Sequence, residues 1–212
     1  DIYDSHVVFD RCQITDNEAE ANCWTKGGAF LISQSTDSSN PTDTEVKFIN
    51  SVIARNSVTA NAQGCPAAGG AFAIHGGANV TIINSTVVDN TTENSYSAYH
   101  NWGGFAYLSN WDDEEALNLT VFNSIIDNML TNSGTPVFEE GSNFEYRISY
   151  SIYTGVDADD YDEEDYVYTH TPAFIDTVDV DPSDYYQLHP RSLVIGAGAS
   201  TGEDVEEHTI SA

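Results

Sequence analysis

The stretch that decides the fold is VTIINSTVVDN at residues 80–90, which superimposes without gaps on VVFDRCQITDN at residues 7–17 and VKFINSVIARN at residues 46–56. A fourth copy, LTVFNSIIDN at residues 119–128, is one residue shorter. Self-similarity of this kind marks a repeat architecture and has to be considered before any local propensity. Each copy is therefore interpreted as one turn of a repeating unit.

A glycine pair follows each of the first three copies, at residues 27–28, 69–70 and 103–104, and GTPVF at residues 134–138 is a degenerate fourth. The copies begin at residues 7, 46, 80 and 119, so successive copies are 39, 34 and 39 residues apart. In each copy two short apolar alternations meet at a polar corner, and the glycine pair opens a third strand. Three short strands per repeat predict a solenoid of parallel strands.

The whole pattern resembles the right-handed parallel β-helix repeats of bacterial and archaeal surface proteins, including the polymorphic outer membrane protein type with its GGA motifs. The likeness covers residues 7–155. A second piece resembles the closing segment of such surface β-helices and consists of PAFID at residues 172–176, YQL at residues 186–188 and IGAG at residues 195–198. A likeness of this kind implies fold far more strongly than activity.

The resemblance implies an all-β fold, a right-handed parallel β-helix of about four to five coils with an irregular acidic C-terminal segment. We expect residues 1–155 to form the coils. Residues 156–212 are expected to form an acidic loop and a closing segment of the same domain. Because a repeat opens at residue 7, we also expect the chain to be a piece of a longer protein.

The charge of the chain is strongly one-sided, with 34 acidic against 6 basic residues and a formal net charge of −28. Nucleic acid and anionic membranes are therefore poor partners. No apolar run approaches the roughly 18 residues of a membrane span. Self-repulsion of this size is screened at a Debye length of about 3 Å in about 1 M salt, which predicts a salt-adapted protein. The alternatives are an acidic secreted protein and one that neutralises local clusters with calcium.

Asparagines recur at fixed places in the repeat. One column contains Asn17, Asn56, Asn90 and Asn128, and another contains Asn50, Asn84 and Asn123. Stacked turn asparagines can hydrogen-bond along a solenoid and tolerate left-handed backbone. Both columns are therefore interpreted as structural.

The cysteines test this alignment. Cys23 and Cys65 each lie four residues before a glycine pair and so fall in one column of adjacent coils. Coils spaced like paired strands, about 4.8 Å apart, suit a disulfide, so we predict a Cys23–Cys65 bond and an oxidising compartment. Cys12 aligns with serines and is expected to remain a small buried thiol. The alternative is three reduced cysteines.

Four triplets satisfy the glycosylation sequon, and they begin at Asn79, Asn84, Asn90 and Asn118. Asn84 and Asn90 belong to the predicted stacks. Asn79 and Asn118 precede strands at the edge of a loop and are the better candidate acceptors in an archaeal or eukaryotic host.

The acidic run at residues 156–165, VDADDYDEED, is the candidate metal site. Asp157, Asp159, Asp160 and Asp162 offer closely spaced oxygen ligands of the kind calcium takes. The run lacks the central Gly and distant Glu of a helix-loop-helix site, so a solvated acidic excursion is the alternative. Calcium is the one cofactor that the sequence suggests.

Three tryptophans, Trp24, Trp102 and Trp111, lie in or beside the loops, with Tyr96, Tyr99 and Tyr107 near them in sequence. Exposed aromatic rings could stack on sugar rings or anchor another subunit. The alternative is that they cover the core beneath the loops.

No catalytic constellation stands out. Glycoside hydrolysis needs two carboxylates about 5 to 9.5 Å apart, and the acidic residues, including the pair Glu139 and Glu140, are more simply surface charge. The basic residues are scattered, and the histidines show no pairing suited to zinc.

The sequence therefore favours a non-enzymatic extracellular or cell-surface β-helix, a filament-forming or adhesive component that presents acidic loops. Its coil ends are expected to contact other copies or adjacent domains, because open strand edges leave backbone groups unsatisfied. The alternative is a carbohydrate-binding or polysaccharide-degrading β-helix. A carboxylate, a base and an aromatic ring clustered on one strand face would favour the alternative, and dispersed acids would favour the scaffold.

Overall fold

A computed structural model of the protein describes residues 1–35, 43–96, 101–110, 115–127, 130–131 and 136–154. Every regular element in these residues is a β-strand. In chain order the strands are β1 Ile2–Tyr3, β2 His6–Asp10, β3 Gln13–Thr15, β4 Glu18–Ala21, β5 Thr25–Lys26, β6 Phe30–Ser33, β7 Glu45–Ile49, β8 Val52–Ala54, β9 Ser57–Ala60, β10 Ala67–Ala68, β11 Phe72–His75, β12 Asn79–Ile83, β13 Thr86–Val88, β14 Thr91–Asn94, β15 Asn101–Trp102, β16 Ala106–Asn110, β17 Leu117–Phe122, β18 Ile125–Asp127, β19 Leu130–Thr131, β20 Val137–Gly141, β21 Phe144–Ser149 and β22 Ile152–Tyr153.

The strands form five parallel sheets, which we number by their order within the repeat. Their strand orders are β2-β7-β12-β17-β21 in sheet 1, β3-β8-β13-β18-β22 in sheet 2, β4-β9-β14-β19 in sheet 3, β5-β10-β15 in sheet 4 and β1-β6-β11-β16-β20 in sheet 5. Each strand therefore pairs with its counterpart one repeat away. This stack of parallel strands is consistent with the predicted parallel β-helix.

The strand register follows the sequence repeat residue by residue. Val80 pairs with Val46 on one side and with Leu119 on the other, and Val7 pairs with Val46. A shift by one residue would turn every side chain of a strand to the opposite face. The alignment of the copies therefore predicted the pairing as well as the existence of these strands.

The number of strands per repeat differs from the prediction. Three were expected, but five lie between the start of β2 and the end of β6. The two additional strands, Glu18–Ala21 and Thr25–Lys26, are short and rich in polar or small residues. Glu18–Ala21 alternates glutamate only with alanine, and Thr25–Lys26 has two residues, so neither carries the large apolar side chains that identify a strand in a sequence. They form because β9 and β10 of the neighbouring coil supply backbone partners.

Two ladders of polar side chains connect the coils at the corners. The Asn17 backbone N–H and Nδ2 both donate to Asn56 Oδ1, at 3.1 and 2.8 Å, and Asn56 repeats both bonds to Asn90 Oδ1 at 3.0 and 2.8 Å. In the second ladder the backbone N–H of Ser51 donates to Ser85 Oγ at 3.1 Å, and that of Ser85 to Ser124 Oγ at 3.1 Å. The structural interpretation of the first asparagine column is confirmed for Asn17, Asn56 and Asn90, and Asn128 lies outside the described residues.

The second asparagine column provides left-handed backbone. Asn50, Asn84 and Asn123 have φ values of 52°, 49° and 49°, a region that asparagine tolerates better than most residues. Asn123 Nδ2 also donates to Asn84 Oδ1 at 2.6 Å. Here the chain turns from sheet 1 into sheet 2.

Glycine is required where the chain turns from sheet 4 into sheet 5. Gly69 has a φ of 71°, and a Cβ on it would lie 2.1 Å from the Phe72 carbonyl oxygen. Gly27 and Gly103 share the same geometry. A side chain would strain the backbone and clash, so the first glycine of each pair marks a tight bend.

Phenylalanines fill the space between sheets 1 and 5. Phe9 stacks on Phe48 with centroids 5.0 Å apart, and Phe30 stacks on Phe72 at 5.9 Å. Phe48 and Phe72 are fully buried. The core is continuous along the stack, and in the next coil Ile82 and Ala106 take the register positions of Phe48 and Phe72.

Candidate functional site

A second apolar cluster lies outside the core, where sheets 4 and 5 meet. The strands of sheet 4 end in Lys26, Ala68 and Trp102, which are register partners. The second residues of β6, β11 and β16, which are Leu31, Ala73 and Tyr107, are also partners. Since Phe30 and Phe72 precede them and point into the core, these second residues face outward.

The two outward rows pack against each other because the glycine bend brings the sheets together. Ala68, Ala73 and Tyr107 form one buried cluster, and Leu31 and Trp102 pack on it. Tyr107 is fully buried although it lies on the face opposite the core. We name the group Trp24, Lys26, His75, Trp102, Tyr107 and Glu140 the aromatic corner.

Three aromatic rings of the aromatic corner are in contact. Trp102 stacks on Tyr107 with centroids 6.0 Å apart and an interplanar angle of 23°. Trp24 meets Trp102 edge-on, also at 6.0 Å, with an angle of 72°. Both arrangements are favoured by the ring quadrupoles. The side chain of Trp24 lies at the outer end of this series and remains 53% exposed.

The position of Trp24 is determined by its backbone and its neighbour. Its φ of 54° lies in the left-handed region, which is unusual for a bulky residue. The preceding residue, Cys23, is bonded to Cys65 with Cα atoms 4.8 Å apart. A strained conformation of this kind persists only where the surroundings fix it, and the disulfide fixes it here.

Lys26 carries a cation into the aromatic corner. Its Nζ lies 4.8 Å from the ring centroid of Tyr107 and 5.3 Å from that of Trp24, within the range of cation–π attraction. Burial lowers the pKa of Lys26, and the negative charge of Glu140 opposes that shift. The ammonium therefore lies against two rings, in the field of Glu140.

Glu140 joins the aromatic corner from strand β20. The Tyr107 hydroxyl donates a hydrogen bond to Glu140 Oε2. Burial, together with this carboxylate, raises the pKa of Tyr107. Tyr107 is therefore a neutral, fully buried positioning group and is unsuited to proton transfer with a ligand.

His75 completes the aromatic corner beneath Tyr107. Its ring meets that of Tyr107 edge-on at 5.6 Å, and its buried Nε2 has no hydrogen-bond partner among the residues that the structure describes. Burial lowers the pKa of His75 to about 4, and the charge of Lys26 adds to this shift. The imidazole is therefore neutral at ordinary pH and packs as an aromatic group.

The predicted site residues have different outcomes. The Cys23–Cys65 disulfide is confirmed. Trp24 and Trp102 come together, but on the outer face of the sheets instead of over the core. Cys12 is a free thiol, as predicted, and it is half-buried. Trp111 and the candidate calcium ligands Asp157, Asp159, Asp160 and Asp162 lie outside the described residues.

The two sequon asparagines are strand residues, each in the register position of the other. Asn118 Nδ2 donates to Asn79 Oδ1 at 2.7 Å and to the Ala116 carbonyl at 3.1 Å. Both side chains are half-buried. They therefore extend the asparagine stacking that was predicted for other columns.

Lys26 and His75 were not predicted as site residues, Tyr107 was noted only as a neighbour of the tryptophans, and Glu140 was interpreted as surface charge. They lie on strands from four different repeats, and only the stacking of the coils brings them together. A signal was nevertheless present, since Lys26 and Trp102 both directly precede a glycine pair and Tyr107 follows one. Aligning the residues that precede each glycine pair would have identified the row Lys26, Ala68 and Trp102.

The chemistry of the aromatic corner suits binding better than catalysis. Its tyrosine is buried with a raised pKa, and its lysine is enclosed by aromatic rings. General acid–base catalysis needs a group within hydrogen-bonding reach of the substrate. The accessible element is the Trp24 indole, which offers a flat apolar surface. In the described residues, no group of three or more His, Cys, Asp or Glu side chains is placed to hold a metal ion.

Comparison with known protein families, with curated proteins and with solved structures finds no match to this chain. The disulfide indicates an oxidising, non-cytoplasmic environment. Within the part of the chain that the structure describes, no helix has the length and apolarity to cross a membrane.

Proposed function

We propose that this protein is a non-enzymatic extracellular β-helix that binds carbohydrate at the aromatic corner. The observation that carries the proposal is Trp24, a half-exposed indole held in left-handed backbone directly after a disulfide. Sugar rings present apolar C–H faces, and flat indole surfaces suit them. Lys26, Trp24 and Glu140 bring a cation, an aromatic ring and a carboxylate to this corner, with Lys26 Nζ 5.3 Å from the Trp24 centroid and in the field of Glu140. They come from different elements and not from the single strand face on which such a cluster was expected.

Preorganisation supports the proposal. The Trp24 indole contacts Trp102 and the Lys26 ammonium before any ligand arrives. A binding surface that is already ordered loses little side-chain entropy on association. The asparagine and serine ladders at other corners of the same coils tie the stack together.

The setting of the site follows from charge and from the repeat. The disulfide supports a location outside the cell or at its surface, and the net charge of −28 supports adaptation to salt. The proposal further holds that the coil is right-handed, that the protein is akin to surface β-helix proteins, and that residues 172–198 are a closing segment.

The acidic run at residues 156–165 is proposed as a calcium loop, which calorimetric titration with calcium in high salt would test.

Assembly through the coil ends is a second candidate function. Strand β2 is the terminal strand of sheet 1, and the nearby Tyr3 and Val8 are 57% and 61% exposed. Unpaired strand edges template the addition of another strand. A filament or adhesive surface component would arise by such pairing with another copy or an adjacent domain, and a monodisperse monomer at high concentration in salt would count against it.

Binding is tested by screening the full chain against a panel of oligosaccharides in about 1 M salt, where the Debye length is about 3 Å. The proposal predicts that Trp24→Ala weakens binding by about tenfold or more, since about 1.4 kcal/mol corresponds to tenfold and a lost aromatic contact is of that order. Trp24→Tyr should retain part of the affinity.

The matched control is Tyr96→Ala, because Tyr96 is another exposed aromatic residue, 67% accessible, and is not part of the aromatic corner. It should leave affinity unchanged. Equal losses in the Trp24 and Tyr96 variants, or no binding to any sugar in the panel, would overturn the proposal. A depolymerase assay on the same sugars should show no cleavage.

A further inference from the structure

We infer that the aromatic corner selects sugar chains without acidic groups and rejects uronic-acid and sulfated chains. This inference rests on the proposed function and names the ligand class of the same site. Three independent features lead to it. They are the compensated charge of Lys26, the negative potential at the faces of the aromatic rings, and the electrostatic field of the protein's net negative charge.

The cation of the aromatic corner is already compensated. The Lys26 ammonium lies within 5.3 Å of two ring centroids, and the charge of Glu140 acts on it. An acidic sugar would have to compete with Glu140 and with both rings for the same ammonium. Lys26 therefore positions Trp24 and Tyr107 and offers little to an incoming carboxylate.

The accessible surface of the aromatic corner also disfavours anions. The face of an indole ring carries the negative part of its quadrupole, which attracts cations and polarised C–H groups and repels carboxylates. Trp24 is the ring that a ligand meets first, because it is the exposed member of the series. The C–H face of an uncharged pyranose matches this surface.

The field of the protein acts in the same direction. With 34 acidic and 6 basic residues, the molecule repels polyanions at long range. This repulsion is large when the Debye length is about 10 Å, in about 0.1 M salt, and small in about 1 M salt. Selectivity against acidic chains should therefore weaken as salt rises, whereas binding of uncharged chains should depend little on salt.

The experiment compares fully methyl-esterified hexagalacturonate with its free acid, because the two share sugar, linkage and length and differ in charge. Binding to the full chain is measured by calorimetry at about 0.1 M and about 1 M salt. Neutral hexasaccharides of β-1,4-glucose and β-1,4-galactose are measured alongside. The inference predicts that the ester binds at least about tenfold more tightly than the acid at the lower salt, and that the gap narrows at the higher salt.

The outcomes separate the inference from the proposed function. If the free acid binds as tightly as the ester and Trp24→Ala weakens both, the ligand class is wrong and the site stands. If none of the uncharged chains binds while Trp24-independent binding of an acid is found, both are wrong. Failure of every sugar, acidic and uncharged, also rejects both. The melting temperature of Trp24→Ala, measured in parallel, distinguishes a lost ring from a lost fold, and Trp24→Tyr, which keeps an aromatic ring, should retain part of the affinity.

Discussion

Cys23 is disulfide-bonded to Cys65 across adjacent coils, with Cα atoms 4.8 Å apart at a sequence separation of 42. The Cα–Cα distance equals the usual distance between paired strands, so the bond forms in the geometry that the coils already impose. It anchors the residue before Trp24. The disulfide thus stabilises the fold and positions the exposed ring.

Removing the disulfide should lower stability. For a loop of this length the chain-entropy account gives about 4 kcal/mol, with measured values commonly about 2 to 4 kcal/mol. The double variant Cys23→Ser with Cys65→Ser should therefore unfold at lower denaturant concentration, measured by tryptophan fluorescence in high salt. It should also weaken sugar binding, because Trp24 loses its anchor.

The matched control is Cys12→Ser. Cys12 occupies the serine column, its backbone N–H donating to Ser51 Oγ at 3.1 Å and its thiol contacting the Asp10 carbonyl at 3.5 Å. Ser51 makes the equivalent bond to the Ile49 carbonyl at 2.8 Å. Serine at position 12 should thus be neutral or slightly stabilising, and a loss comparable to that of the double variant would contradict the account of this column.

Removing one member of the asparagine ladder should be costly. Asn56 is fully buried, accepts from Asn17 and donates to Asn90 Oδ1 and to the Ile14 carbonyl. Asn56→Ala leaves buried partners unsatisfied, at about 1 to 3 kcal/mol for each lost group. Chemical denaturation measures the change in unfolding free energy. Asn61→Ala removes two solvent-exposed hydrogen bonds, one donated to Glu20 and one accepted from Ser95. It should cost far less, so equal losses would argue against the ladder.

The two candidate acceptors for glycan should differ. Glycan attaches to Nδ2, and the Asn118 Nδ2 already donates to both Asn79 Oδ1 and the Ala116 carbonyl. Asn79 takes part in this pair through its Oδ1, which modification of its own Nδ2 leaves intact. In a glycosylating eukaryotic host, peptide mass spectrometry should find Asn79 more fully occupied than Asn118. Thr81→Ala removes the first sequon as a control, and higher occupancy of Asn118 would contradict this prediction.

His75 should make stability depend on pH. Its pKa is about 4 in the folded protein against an ordinary value of 6.5, so the unfolded chain binds the proton more readily. The free energy of unfolding should therefore fall as pH decreases from 6.5 towards 4, by at most about 3 kcal/mol for this group. His75→Phe keeps a ring against Tyr107 and removes the titration.

The readout is the difference in unfolding free energy between wild type and His75→Phe, in which the common titration of the carboxylates cancels. The difference should shift in favour of the variant as pH falls through that interval. A difference that is independent of pH would show that His75 is not held neutral by burial.

The sequence predicts the stack well because stacking is local and repetitive. Asn56 and Asn90 must lie one above the other once their strands are in register, and the same register brings Cys23 beside Cys65. The strands Glu18–Ala21 and Thr25–Lys26 could not be recognised, since their pairing depends on backbone partners in the neighbouring coil and they contain no large apolar side chain.

The aromatic corner was harder to predict than the stack. Trp24 and Trp102 were candidates from composition alone, but contact between Lys26, Tyr107 and Glu140 depends on the angle between two sheets and on residues from three coils. The bend can be predicted from its glycines, because only their backbone fits it. The sequence does not show which outward-facing side chains the bend brings into contact.

The most direct measurement is a crystal structure of the full chain with an uncharged hexasaccharide, either the methyl-esterified hexagalacturonate or the strongest neutral binder from the panel. The account predicts a sugar ring with its C–H face within about 4 Å of the Trp24 indole, the ordinary distance for apolar contact. A sugar bound elsewhere on the coils, with the Trp24 indole bare, would contradict it.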